Sequence, residues 1–319
     1  MCRPECVSLN APLIARYVQG LLVSRRHTVR TVTNYERDLA RLSDFASAGG
    51  VAFVDIDMHC LRRCIVQLAK SGLHGKSIAH ALSVWRGFYA WLHTQGLVKA
   101  NPAVGLRAPR TAKPLPKALS VDDAVRLAEF QSPDSAAGIR DHAMIEVLYS
   151  CALRRAELVS LDYRYLKTPT YESRSWLDVV NGEVQVLGKG SKRRVVPMGS
   201  KALMAIALWI DERANYLKPS SSEDAQAALF LGAHGERINA GVVHARIRSA
   251  ALQAGIASSV HPHMLRHSAA SHVLQSSGDL RAVQEFLGHA NIATTQIYTK
   301  LDWQHLAGFY DAAHPRAKR

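Results

Sequence analysis

Val260-His-Pro-His-Met-Leu-Arg-His-Ser-Ala269 is the most informative stretch of this chain. Pro262 suits the first turn of a helix, because its missing N–H would have no intrahelical partner there. His263 and Arg266, spaced i and i+3, then share one helical face. Downstream come Leu287-Gly-His289 and Thr294-Thr-Gln-Ile-Tyr298, a second histidine and an isolated tyrosine in a polar setting. Upstream lie Arg154, in Leu148-Tyr-Ser-Cys-Ala-Leu-Arg-Arg-Ala-Glu-Leu, and Lys189, in Gly188-Lys-Gly-Ser-Lys. Two arginines, a lysine, two histidines and a tyrosine suit attack on a phosphodiester by a tyrosine without a metal.

Each of these residues has a plainer reading when taken alone. Gly188-Lys-Gly-Ser lies between two β-rich runs and lacks the spacing of a nucleotide-binding P-loop, so Lys189 reads first as a solvated turn residue. Glu157 reads as the surface partner of a neighbouring arginine. The break between two apolar helical runs places Arg154 at or near a helix start, where phosphates bind well. His263 and His267 have i, i+4 metal-ligand spacing, but Arg266 between them is electrostatically wrong for a dication, so no metal and no other cofactor is expected. His289 reads as a loop histidine, and Tyr298 as a half-buried tyrosine at a helix end.

The rest of the chain places these residues in an architecture. Its 319 residues are enough for two domains. The first hundred residues are helical in period. Val32, Tyr35, Leu39, Leu42 and Phe45 fall near one face; a helix over about 57–71 stops near Gly72; and another over about 77–95 turns Ile78, Leu82, Trp85, Phe88, Tyr89 and Leu92 inward before Gly96. Ala108-Pro-Arg-Thr-Ala-Lys-Pro-Leu-Pro-Lys117 is an extended, basic connection. Ser120 caps a new helix with an acidic first turn, and helices continue to about 162. Trp176–Val180, Glu183–Leu187 and Arg193–Met198 read as strands, with Asn181-Gly182 as the hairpin turn. The expected fold is mainly α with a small antiparallel β-sheet: a helical bundle over 1–107, a basic Pro-rich linker over 108–119, and an α+β domain over 120–319.

Composition bounds the partners. The net charge is +14, and residues 1–110 hold 15 Lys and Arg against 6 Asp and Glu. That excess favours a polyanion, DNA or RNA above all. Arg30, Arg37 and Arg41 are candidate contacts. No apolar run approaches a membrane span, and no signal peptide opens the chain, so a cytoplasmic protein without membrane contact is expected. The five cysteines include no Cys-x-x-Cys pair and read as idle or buried thiols.

Together the motifs resemble those of the tyrosine site-specific recombinases, the phage-integrase-like enzymes, whose pattern Arg…Lys…His-x-x-Arg…His/Trp…Tyr is matched by Arg154, Lys189, His263, Arg266, His289 and Tyr298. The resemblance spans nearly the whole chain. It implies a SAM-like core-binding domain at the N-terminus, a recombinase catalytic domain, and a C-terminal helix exchanged between subunits. It implies Tyr298 as nucleophile, Arg154 and Arg266 as phosphate clamps, Lys189 as acid, His263 as base and His289 as hydrogen-bond donor to phosphate. Ser276-Ser-Gly-Asp-Leu-Arg281, Gly288-His-Ala-Asn and the segment after Thr295 point to members that resolve chromosome dimers at a specific site. Double-stranded DNA, a partner recombinase in a heterotetramer and a DNA translocase regulator are then the implied partners. A phage or transposon integrase, a type IB topoisomerase and a non-catalytic DNA-binding protein are the alternative readings. The chain departs from the family pattern at Ala152, usually Gly, at Ala156, usually Ser, and at Lys167–Trp176, which reads as an insertion.

Overall fold

The computed structural model describes residues 10–23, 29–109, 118–131, 135–188, 193–257, 259–287 and 315. The chain divides into two compact units, Met1–Pro114 and Leu115–Arg319.

The first unit is built from α1 (Asn10–Val23), α2 (Val29–Gly49), a 3-10 turn at Phe53–Asp55, α3 (Met58–Lys70) and α4 (Gly75–Thr94). The periodic positions meet in its core: Leu39 and Leu42 from α2 pack with Ile78, Leu82, Trp85, Phe88, Tyr89 and Leu92 from α4. Burying side chains of this size supplies roughly 1.5–3 kcal/mol each. Polar tips are satisfied inside this core. Trp85 Nε1 donates to the Asp38 carbonyl at 2.9 Å, and Tyr89 donates to the Phe53 carbonyl at 3.1 Å. Asp57 caps α3 by accepting from Cys60 N at 2.7 Å. Gly72 follows that helix with φ +83°, a conformation that suits glycine.

The second unit opens with α5 (Val121–Glu129), capped by Ser120, and α6 (Ala136–Ser150), capped by Ser135. Helix α6 is buried on nearly all sides, as an apolar helix at the centre of a domain must be. After α7 (Arg155–Val159) comes a four-stranded sheet in the order β1 (Leu161–Asp162), β2 (Ser175–Asp178), β3 (Glu183–Leu187), β4 (Arg193–Pro197). The hairpin forms at Asn181-Gly182. Gly182 has φ +65°, and the strands it joins pair Asp178 with Glu183.

Two sequence expectations are corrected here. The sheet is mixed and not purely antiparallel, because β1 pairs with β2 in parallel. Helix also ends at Val159 rather than near 162. Two residues of strand carry no readable period, and their pairing is set by the returning segment 163–174. That segment is anchored, not loose: Tyr171 donates to Asp162 at 2.9 Å, and Thr170 donates to Glu223 at 2.6 Å. The end of the apparent insertion, Ser175-Trp176, is the start of β2.

Helices α8 (Ser200–Arg213), α9 (Glu223–Ala227), α10 (Ala240–Gln253), α11 (Pro262–Ser277) and α12 (Leu280–Leu287) complete the described part. Buried His272 of α11 joins the Tyr149 hydroxyl (2.9 Å) to the Leu119 carbonyl (3.0 Å), holding residue 119 against the core. No helix among the described residues is long and apolar enough to cross a membrane.

Candidate active site

Helix α11 begins at Pro262, as its sequence dictates. His261 is the N-cap, and its Nδ1 accepts from Met264 N at 3.1 Å. This cap needs a neutral ring. Burial, followed by nearby His244 and His263, holds the His261 imidazole below its usual value and so favours the capping form. His263, the second residue of the helix, is exposed, while Arg266, about one turn further on, is 4% exposed.

Arg266 crosses the core of the unit. Its guanidinium donates through Nη1 to the Ala152 carbonyl and through Nη2 to the Leu287 carbonyl at 2.6 Å. It thereby ties the turn before Arg154 to the last residue of α12, two positions before His289. Ala152 sits at φ +46°, the only non-glycine with positive φ among the described residues. A Cβ in that region costs about 1–2 kcal/mol. Ala152→Gly should therefore raise the stability of the protein by about 1 kcal/mol, measured by denaturant unfolding. An unchanged or lower midpoint would show that the turn is unstrained.

Arg154 is the N-cap of α7. Its backbone N–H donates to Glu157 Oε2 at 2.8 Å, and its Nη1 donates to Oε1 at 2.7 Å. Glu157 is not the surface residue that its spacing suggests, since its side chain is only 7% exposed. Arg194 of β4 grips both of its oxygens, Nη1 to Oε1 at 3.0 Å and Nη2 to Oε2 at 2.9 Å. Arg266 Nη1 stands 3.9 Å from Oε2. Burial would raise the Glu157 carboxyl, but the hydrogen bonds and charge of Arg194, with the hydrogen bonds from Arg154, outweigh it and bring it down to about 2. Burial and then the neighbouring Arg154 push the Arg266 guanidinium down to about 10, so it stays charged at neutral pH.

Three guanidiniums thus surround one carboxylate, and the site carries a surplus of positive charge. Such a surplus attracts an anion, and planar guanidiniums match phosphate oxygens. The site brings Arg154 and Arg266 together. His263 lies on the same helix as Arg266, one turn away. Lys189, His289, Tyr298, the C-terminal segment expected to be exchanged and most of the linker lie outside the described residues. In the first unit, buried Asp38 pairs with Arg41 and, at 2.6 Å, with His80, while Arg37 is exposed.

Glu157 and Arg194 escape a reading by motif. A signal for Arg194 exists in the strand period: residues 194 and 196 share one face, and Val196 is fully buried. An arginine on the inward face of a strand asks for a buried anion.

Residues 117–305 match the phage integrase family, and residues 14–96 match the phage integrase N-terminal SAM-like domain. The chain is 50% identical over 311 residues to the tyrosine recombinase XerC of Ralstonia pickettii (strain 12J), covering 97% of this chain and 95% of that protein. It is 46% identical over 307 residues to the tyrosine recombinase XerC of Escherichia coli O157:H7, covering 96% and 97%. The fold is similar to that of a lambda integrase dimer bound to a COC′ core site (TM-score 0.66, 14% identity, 95% of this chain and 81% of that one). It is also similar to XerH site-specific recombinase bound to a difH substrate in a pre-cleavage complex (TM-score 0.63, 19% identity, 88% and 79%).

Proposed function

We propose that this chain, which belongs to the phage integrase family and is a tyrosine recombinase, cuts and rejoins duplex DNA at a specific site through a 3′-phosphotyrosyl link on Tyr298. The convergence of Arg154 and Arg266 beside Glu157 carries this reading. In the transition state negative charge spreads over the non-bridging oxygens, and two permanently charged guanidiniums supply the stabilisation that a metal cation would otherwise give.

The Tyr298 oxygen bonds to phosphorus as the bond to the 5′-oxygen breaks. His263 takes the tyrosine proton, Lys189 gives a proton to the departing 5′-oxygen, and His289 donates a hydrogen bond to a phosphate oxygen. One ester replaces another, so its energy is kept. A 5′-hydroxyl from a second duplex then gives its proton to Lys189 and displaces the tyrosine, which recovers its own proton from His263. The cycle needs neither ATP nor a metal ion.

Both domains, 1–107 and 120–319, and the basic linker 108–119 contribute to duplex binding. The relatives named above, both XerC tyrosine recombinases, support a role in resolving chromosome dimers. The partners proposed with that role are a recombinase of the XerD type in a heterotetramer and a DNA translocase regulator, acting in the cytoplasm. After Tyr298, the spacing of Trp303, Leu306 and Tyr310 suits one stripe of a helix. The segment 302–319 passes to the neighbouring subunit. Its deletion should abolish cooperative assembly on DNA in a mobility-shift titration, and unchanged cooperativity would refute the exchange.

Covalent trapping tests the chemistry. Wild type and Tyr298→Phe are incubated, without Mg²⁺, with nicked DNA carrying a candidate chromosomal resolution site. A denaturant-stable adduct is expected in wild type alone. An adduct that persists in Tyr298→Phe overturns the nucleophile assignment. If no adduct forms while binding is intact, adding the partner recombinase should restore it, and continued failure would favour a binding protein.

A further inference from the structure

We propose that Arg194 is a positioning residue for strand cleavage, acting through Glu157 on Arg154. This rests on the reading that Arg154 clamps the scissile phosphate.

Arg194 lies on β4 opposite Val186 and points inward with Val196, its side chain 7% exposed. It meets Glu157 fork to fork, at 2.9 and 3.0 Å. Its Nε is buried with no hydrogen-bond partner among the described residues, although apolar Val184, Val186 and Val196 line the same face of the sheet. A buried guanidinium with an orphaned donor lowers stability, so its place here needs a reason beyond packing.

Charge supplies the reason. Arg154 and Glu157 alone form a neutral pair, and Glu157 would compete with an incoming phosphate for the Arg154 guanidinium. Arg194 occupies both carboxylate oxygens and offsets their charge. Arg154 is then held in place by Glu157 without being neutralised by it. The Arg154 side chain is 34% exposed, so it keeps an open face for the phosphate. Arg194 also fixes the plane of the carboxylate, and with it the direction in which Arg154 points. Arg194 itself is buried behind Glu157 and acts only through it.

A double-mutant cycle in the full-length protein tests this. Single-turnover cleavage of the nicked duplex is measured for wild type, Arg194→Gln, Arg154→Ala and the double variant, together with duplex affinity and thermal unfolding. Arg194→Gln should slow cleavage roughly 10- to 100-fold, the loss of a charge-assisted pair, while duplex affinity stays within about twofold. In the Arg154→Ala background the same change should slow cleavage less than about twofold, because the side chain it acts on is gone. Equal slowing in both backgrounds, or no slowing in wild type, overturns the positioning role while leaving the clamp assignment intact. Wild-type cleavage by Arg154→Ala overturns the clamp, and the role of Arg194 with it. If Arg194→Gln fails to fold, Arg194→Lys keeps the charge without the fork. It should then cleave at a rate between wild type and Arg154→Ala, and a wild-type rate would overturn the proposal.

Discussion

Arg154→Ala should slow single-turnover strand cleavage by roughly 10²–10³-fold, equivalent to about 2.7–4 kcal/mol of transition-state stabilisation. Duplex affinity should hardly change, since many phosphate contacts share the binding energy and one is lost. The separation follows from geometry. Arg154 caps a helix of five residues and is fixed to Glu157 by both its backbone and its side chain. Removing the guanidinium leaves Glu157 with both bonds from Arg194. Cleavage by quenched-flow or denaturing gel, set beside a binding titration, checks the split. A loss of affinity as large as the loss of rate would make Arg154 a binding residue and not a clamp for the transition state.

Glu157→Gln should have the largest effect on stability, about 3–5 kcal/mol, because it strands buried Arg194 without its counter-charge. Its pH dependence follows the sign of the shift. The folded carboxyl lies at about 2, below its ordinary 4.5. The stabilisation is therefore fully present above about 4.5 and is lost as pH falls towards about 2. Acid unfolding of wild type should show this loss, and Glu157→Gln should show a shallower slope over the same interval. Equal slopes in the two proteins would mean that the carboxylate is not held in its charged form.

Local chemistry explains what the sequence reveals. Ser120 and Pro262 announce helix starts because capping involves only the next turn. The inward face of α4 is legible because six large apolar residues keep one period, and all six are buried. Asn181-Gly182 marks a hairpin because only a few residues accept its backbone angles. Long-range closure explains what stays hidden. Glu157 and Arg154, three residues apart, would look the same as a solvated pair; the burial comes with β4, which brings Arg194 onto both carboxylate oxygens, and α11, which brings Arg266 to 3.9 Å. Strand β1 exists because a distant segment returns beside it. The recombinase pattern singles out Arg266, but not that it is held by the carbonyls of Ala152 and Leu287.

The fold itself places three guanidiniums around Glu157. Like charges of this kind repel, and a flexible site would have to gather them anew around each phosphate. Here the work of assembling them is done once, when the chain folds. On the proposed mechanism the scissile phosphate then enters a preorganised field, and little reorganisation energy remains to be spent at the moment of reaction. On that mechanism the barrier to cleavage is lowered by charge placed in advance, so variants that remove a guanidinium from the cluster are expected to lose catalytic rate.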